Sequence, residues 1–139
     1  MNAISVVPFQ RKYAADFRRL NLDWIERLFK VEAPDLKVLD DPEGAIVAPG
    51  GMIFFALEGD AVVGTAAMIR VTEDRYELAK MAVPVTHQGR GIGRLLGDAC
   101  TAWATEHGIG TVFLCAQDQD FAAATLLQLL TTAWSQIHK

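Results

Sequence analysis

The segment from about Tyr76 to Ala116 constrains the fold of this chain most, because it joins two apolar strands through a glycine-rich loop and an amphipathic helix. Starting at Ile92, apolar residues of the predicted helix recur at i, i+3, i+4, i+7, i+8 and i+11. His107 in the last turn and Gly108 just after it are typical of a helix end. A strand–helix–strand unit of this kind predicts two parallel strands joined by a right-handed crossover.

The rest of the chain predicts an α/β domain with a mixed, mostly antiparallel sheet covered by helices. Met52–Leu57 is apolar at every position, which favours a strand covered on both faces. Glu58-Gly59-Asp60 is a turn signal and favours a hairpin. Pro34 to Gly51 is rich in proline and glycine and predicts a loop, with a short helix near Leu36–Leu39. The other predicted elements are strands at Ile4–Val7, Ala61–Val71, Arg75–Val83 and Thr111–Ala116, and helices at Tyr13–Phe29 and about Ala123–Ile137.

Length and charge narrow the class of protein. A chain of 139 residues, 51% of them hydrophobic, predicts a single domain over residues 1–139. The net charge of −4 without a basic run argues against a nucleic-acid partner. No apolar run approaches the ~20 residues that span a bilayer, and the first residues lack the pattern of a signal peptide. With only two cysteines, the sequence predicts a cytoplasmic protein without a disulfide framework.

The glycine loop has the composition of an anion site. The first turn of a helix presents unpaired N–H groups and the positive end of the helix dipole. Gly91 and Gly93 allow a ligand to approach the main chain closely, and Arg90 and Arg94 add positive charge. These features predict a phosphate or pyrophosphate site; the alternative is that the glycines serve only a tight turn and close helix–sheet packing. The P-loop ending Gly-Lys-Ser/Thr is absent, and G-x-G-x-x-G fails in both registers.

Gln88-Gly89-Arg90-Gly91-Ile92-Gly93 matches the signature Q/R-x-x-G-x-G/A, and from Ile4 to about Ala116 the chain resembles the GNAT superfamily of N-acetyltransferases. The resemblance implies a GNAT-like acyl-CoA N-acyltransferase fold, with the pyrophosphate of acetyl-CoA at the helix N-terminus. It also implies that the strand before the loop pairs with the pantetheine arm through its main chain. The residues that the resemblance puts at the cofactor are Met81, Ala82, Val83, Gln88, Gly89, Arg90, Gly91, Ile92, Gly93 and Arg94.

Glu77 is the candidate catalytic base, since many family members carry a glutamate on this strand. An amine must be neutral to attack a thioester, so a base helps, often through water. Strict strand alternation would put Glu77, Ala79, Met81 and Val83 on one face. Burial on a mostly apolar face would raise the pKa of the carboxyl towards a useful value. The alternative is a solvated glutamate near the strand start, or one paired with an arginine.

Other reactive residue types favour structural roles. Lys80 lies in a covered strand, where pairing with a carboxylate is the better interpretation. His87 is read as a loop residue and Cys100 as a core residue, and Cys115 lacks the nearby histidine motif of a nucleophile. The cysteines and histidines have no metal-ligand spacing, so no metal is expected.

The end of the sequence departs from the family pattern. Where the family has Asn, then Leu-Tyr, then Gly-Phe, this chain has Asp120, Leu127 and Thr131-Thr132. No tyrosine follows Tyr76, although the family often uses one as the acid toward the departing thiol. The sequence also ends before the family's last two strands. A naturally short member, completion across a homodimer, and a truncation or frame change would each explain this.

Three functions follow from these expectations. The first is an acetyl-CoA-dependent N-acetyltransferase that acts on a primary amine of a small molecule or peptide. The second, favoured by the missing tyrosine, is a catalytically impaired acyl-CoA-binding or regulatory protein. A different phosphate-ligand binder is a weaker third.

Overall fold

The structure, a computed structural model, describes residues 3–28 and 33–114. Five strands form one sheet in the order β1-β2-β3-β4-β5, and three α-helices cover its faces. The elements are β1 Ile4–Pro8, α1 Ala14–Leu28, α2 Ala33–Asp40, β2 Met52–Glu58, β3 Ala61–Thr72, β4 Arg75–Ala82, α3 Ile92–Glu106 and β5 Thr111–Leu114.

The sheet contains three antiparallel strand pairs and one parallel pair. β1 pairs with β2, β2 with β3, and β3 with β4, all antiparallel. β4 and β5, which α3 connects, are parallel over Arg75–Leu78 and Thr111–Leu114. The predicted mixed, mostly antiparallel sheet and its one parallel pair are therefore confirmed.

A separate apolar core packs on each face of the sheet. On the α3 face, Phe54 and Met68 pack with Leu96 and other buried side chains. On the opposite face, Phe55 packs with Phe17 of α1 and with its own apolar neighbours. Alternate residues of β2 thus enter different cores, which confirms the prediction of a strand covered on both sides.

Gly64 of β3 sets how closely α3 approaches the sheet. A Cβ atom at this position would lie 2.9 Å from Cγ2 of Ile92 and 3.1 Å from Cδ1 of Leu96. Such distances are shorter than ordinary van der Waals contact, so only a glycine leaves room for the helix. The first turns of α3, which follow the glycine loop, are thereby seated directly on β3.

The segment before β2 is more regular than the sequence predicted. The short helix expected near Leu36–Leu39 is confirmed and extends over α2, Ala33–Asp40. The loop predicted for the rest of the segment is wrong at Glu43–Val47, which forms a π-helical turn. Buried side chains from both, such as Leu39 and Ile46, join the core on the α1 face, and this burial outweighs the weak local helix signal.

The other predicted elements agree with the structure where it describes them. The first predicted helix is preceded by a short 3-10 turn at Arg11–Tyr13, and the helix after the loop ends one residue before His107. The predicted last helix, the end of the fifth strand and Cys115 lie outside the described residues. No helix in the described part of the chain is long and apolar enough to cross a membrane.

Candidate functional site

The glycine loop between β4 and α3 adopts a conformation that requires glycine at two places. After a 3-10 turn at Val85–His87, Gly89 has φ +81° and Gly91, the N-cap of α3, has φ +78°. A Cβ atom on either glycine would meet nothing within 4 Å. The backbone torsions, and not tight packing against the protein, therefore account for these two glycines.

The N-terminus of α3 offers a set of main-chain donors. The first α-helical bond after the cap runs from the N–H of Leu95 to the carbonyl of Gly91, at 3.1 Å. Within the described residues, the N–H groups from Gly89 to Arg94 donate no hydrogen bond to another residue. Such a group of donors, at the positive end of a 15-residue helix, suits an anion.

Charges in this first turn also favour an anion. The turn has no acidic residue, whereas acidic residues are the ones that usually stabilise a helix N-terminus. Arg94 lies there, exposed, with no hydrogen bond or ion pair to another described residue. Gly93 is helical, and a Cβ atom on it would come no closer than 4.0 Å to Sδ of Met81. The space around the N-terminus of α3 is therefore open, and the charge beside it is positive.

Arg90, in contrast, is already paired. Its guanidinium Nη2 donates to Oε2 of Glu58, and Oε1 of the same carboxylate lies 3.4 Å from Nε2 of His87. Arg90 places its positive charge at the loop, as expected, but Glu58 offsets that charge. Sequence reasoning missed Glu58, which looked like a turn residue, since its partners lie about 30 residues further along the chain.

Gln88 ties the loop to the end of β4. Its side-chain Nε2 donates to the carbonyl of Val83 at 3.1 Å, and its own N–H donates to the carbonyl of Val85 at 3.3 Å. Both groups are therefore engaged within the protein, and the loop is fixed to the strand before it.

A β-bulge interrupts β4 just before the loop. Ala67 pairs with Ala79 and Thr65 with Ala82, so Lys80 and Met81 together face one residue of β3. Lys80 has φ +53°, a left-handed conformation that is uncommon outside glycine. The bulge interrupts the ladder between β3 and β4 at this point, next to the start of the glycine loop.

The bulge corrects the expected alternation along β4. Met81 and Val83 pack against the core on the α3 face, whereas Ala82 belongs to the core on the α1 face. Glu77 pairs across the ladder with Ile69, which packs on the α1 face. Glu77 and Met81 therefore lie on opposite faces, because the bulge inserts one residue between them.

Glu77 is half-buried on the α1 face. Its ladder neighbours are Ile69 on β3 and Phe113 on β5. No hydrogen bond or ion pair joins it to another residue of the described part of the chain. The carboxylate is thus unengaged by its neighbours, and the alternative of a pairing with a described arginine does not apply.

The remaining candidates have structural surroundings. Cys100 is fully buried in the core under α3, as predicted, and desolvation raises the pKa of its thiol. His87 is a loop residue, as predicted, in contact with Thr86 Oγ1 at 2.8 Å. Within residues 3–28 and 33–114, no three His, Cys, Asp or Glu side chains are grouped closely enough to hold a metal ion.

Solved structures share this fold. An acetyltransferase of the GNAT family from Staphylococcus aureus Mu50 superposes with a TM-score of 0.74 at 24% identity, over 81% of this chain and 72% of that one. An acetyltransferase from Streptococcus agalactiae gives 0.76 at 16% identity, over 92% and 82%. A predicted acetyltransferase from Clostridium acetobutylicum, solved with acetyl-CoA, gives 0.67 at 16% identity, over 82% and 81%. No curated protein matches this chain.

The fold and the loop together define an acyltransferase of the GNAT type. The family model for the acetyltransferase (GNAT) family matches residues 15–130, and the chain belongs to that family. The predicted fold class and the resemblance drawn from the glycine loop are therefore confirmed. Acetyl transfer is the family's reaction.

Proposed function

We propose that this protein transfers the acetyl group of acetyl-CoA to a primary amine of a small molecule or peptide. The observation that carries the proposal is the loop from Gly89 to Arg94, whose N–H groups donate to no other described residue and whose two left-handed glycines precede the N-terminus of a long helix. An anion with two adjacent phosphates suits this array, since several donors converge on it. Arg94 is exposed and adds a positive charge at the helix N-terminus, where a cation does not stabilise the helix itself.

The bulged end of β4 suits the arm of the cofactor. Met81, which lies in the bulge, and Val83, just after it, pack on the α3 face, and main-chain amide groups of a strand end can bond to amide groups of an extended ligand. Ala82 and Ile92, both buried, hold the strand end and the first helical turn in place. We assign the cofactor site to this strip, which runs from Met81 through the glycine loop to Arg94.

Acetyl-CoA supplies a thioester, whose carbonyl carbon is open to attack by an amine. The amine nitrogen bonds to that carbon, the carbon–sulfur bond breaks, and the departing thiolate takes up a proton from solvent. We assign Glu77 as the base that receives the proton lost by the amine, directly or through a water molecule. A main-chain N–H at the bulge would donate to the carbonyl oxygen as charge develops on it.

The placement of Glu77 on the α1 face supports separate approaches for the two substrates. The cofactor strip lies with Met81 on the α3 face, and the strand itself lies between that face and the carboxylate. An amine that approaches from the α1 side would meet Glu77 before it reaches the bulge.

A non-catalytic acyl-CoA-binding protein is the second candidate, and the tyrosines favour it. The sequence has two, Tyr13 and Tyr76. Tyr76 is buried and its hydroxyl donates to the carbonyl of Gly50 at 2.9 Å. Tyr13 packs against Phe55, with ring centroids 5.2 Å apart. Both rings thus have structural contacts, and the hydroxyl of Tyr76 is already engaged.

Two measurements separate the candidates. Isothermal titration calorimetry with acetyl-CoA tests cofactor binding, and no heat at millimolar cofactor would contradict both. A thiol-release assay over a panel of amines, peptides and polyamines then tests transfer. Thiol release that depends on the amine, with acetylated product found by mass spectrometry, supports the enzyme. Tight binding without amine-dependent release supports the non-catalytic protein.

A further inference from the structure

Glu58 connects the sheet to the glycine loop at residues 88–94, which is called the cofactor loop from here on because the proposed function assigns it to the cofactor. It is the last residue of β2, where it pairs with Ile4 of β1 and Ala61 of β3, so its backbone is held on both sides. Its carboxylate reaches across to the loop and contacts both His87 and Arg90. The three side chains are only 21–32% exposed, so the cluster is partly shielded from solvent.

The contacts of Glu58 flank the strained part of the loop. His87 ends the 3-10 turn before the loop, and Arg90 stands between the two left-handed glycines, Gly89 and Gly91. Glycine gives such a segment more conformational freedom than any other residue, so ordering it costs entropy. A carboxylate that holds a residue on each side of Gly89 reduces that freedom before any ligand binds.

We propose that Glu58 is a positioning residue that orders the cofactor loop through His87 and Arg90, so that its main-chain donors face the cofactor. The inference rests on the proposed function, because it concerns the same loop. Arg90 keeps the pKa of Glu58 below its usual value by a hydrogen bond, so the carboxylate is ionised at neutral pH. A preordered loop binds more tightly because the ligand does not bear the cost of ordering it.

The direction in which cofactor affinity changes when Glu58 loses its charge distinguishes this role from simple electrostatic repulsion. A carboxylate beside a site for phosphates repels an anionic ligand, so removing its charge would by Coulomb's law alone tighten cofactor binding. If Glu58 orders the loop, removing its charge weakens binding instead. The two explanations thus predict opposite changes for one substitution.

The test compares E58Q, R90Q and the double variant with wild type, and uses E73Q as a matched control. Glu73 is exposed in the turn between β3 and β4, far along the sheet from the loop. For E58Q we expect KM and Kd for acetyl-CoA to rise about fivefold, with kcat within twofold. In the R90Q background, E58Q should add less than a twofold further change, because Glu58 acts mainly through Arg90. E58D keeps the charge and should restore part of the affinity.

Hydrogen exchange in the cofactor-free protein supplies an independent readout. The amides of residues 85–91 should exchange faster in E58Q than in wild type, while those of α3 after its first turn stay unchanged. Tighter cofactor binding by E58Q, or unchanged exchange together with unchanged KM, would overturn the proposal. Failure of wild type to bind acetyl-CoA would instead contradict the proposed function, and the exchange data would still decide whether Glu58 orders the loop.

Discussion

Two glycines of the cofactor loop, only two residues apart, should respond in opposite ways to the same substitution. Gly91 has φ +78°, and a Cβ atom there would meet no protein atom within 4 Å. The cost of G91A is therefore conformational, about 1–2 kcal/mol for a left-handed alanine. Gly93 is helical and has space, so G93A should gain the 0.5–1 kcal/mol, roughly, by which alanine exceeds glycine in a helix.

Thermal unfolding followed by circular dichroism measures both effects. For a chain of this length we expect G91A to lower Tm by roughly 3–8 °C and G93A to raise it by about 2–4 °C. Calorimetry with acetyl-CoA measures the site. G91A should bind about tenfold more weakly, because the loop is no longer preordered. G93A should bind within about threefold of wild type, since the GNAT signature admits alanine at this position.

Gly108 supplies the control, because it has φ +65° at the opposite end of α3 with equally open surroundings. G108A should lose about as much stability as G91A, roughly 1–2 kcal/mol, yet bind the cofactor normally. The reasoning is refuted if G91A is as stable as wild type, or if G93A loses as much stability and affinity as G91A. Weak binding by G108A would show that affinity follows global stability and not the loop.

E77Q should lower kcat about 100-fold at neutral pH; unchanged turnover would rule out the base role. Because Arg90 lowers the pKa of Glu58, the stabilisation is present above pH 4.5 and lost as pH falls below it. E58Q should therefore have a Tm about 1–3 °C below wild type at pH 7, with the gap closing towards pH 3. G64A should destabilise by about 1–3 kcal/mol in urea unfolding, since the added methyl overlaps α3. Cys100 should resist alkylation in the native protein, as mapped by mass spectrometry, and react only on unfolding.

The regular elements follow from patterns that act over short distances. Met52–Leu57 is apolar throughout and becomes a strand between two cores, and the helix from Ile92 has one apolar stripe that packs on the sheet. The glycine loop between a strand and a helix N-terminus was equally readable, because its signature is contiguous in the sequence. Burial against distant elements explains why α2 is longer than its weak local helix pattern predicted.

Features that depend on distant partners were not readable. Glu58 stands in a sequence that is typical of a turn. Its contacts form only because the fold places it beside a loop that lies 29 to 32 residues further along the chain. The bulge at Lys80 is similarly hidden, because a lysine gives no sign of a left-handed backbone. That single inserted residue moves Met81 to the face opposite Glu77, so strict alternation gave the wrong grouping for half of the strand.

A structure of the protein with acetyl-CoA, in which the contacts of the pyrophosphate are measured, tests the central claim most directly. The account predicts pyrophosphate oxygens at about 2.7–3.2 Å from main-chain nitrogens between Gly89 and Arg94. It also predicts the pantetheine arm along Met81 and Val83, with the thioester near the bulge. Acetyl-CoA bound at another surface, or a pyrophosphate without contact to the N-terminus of α3, would contradict it.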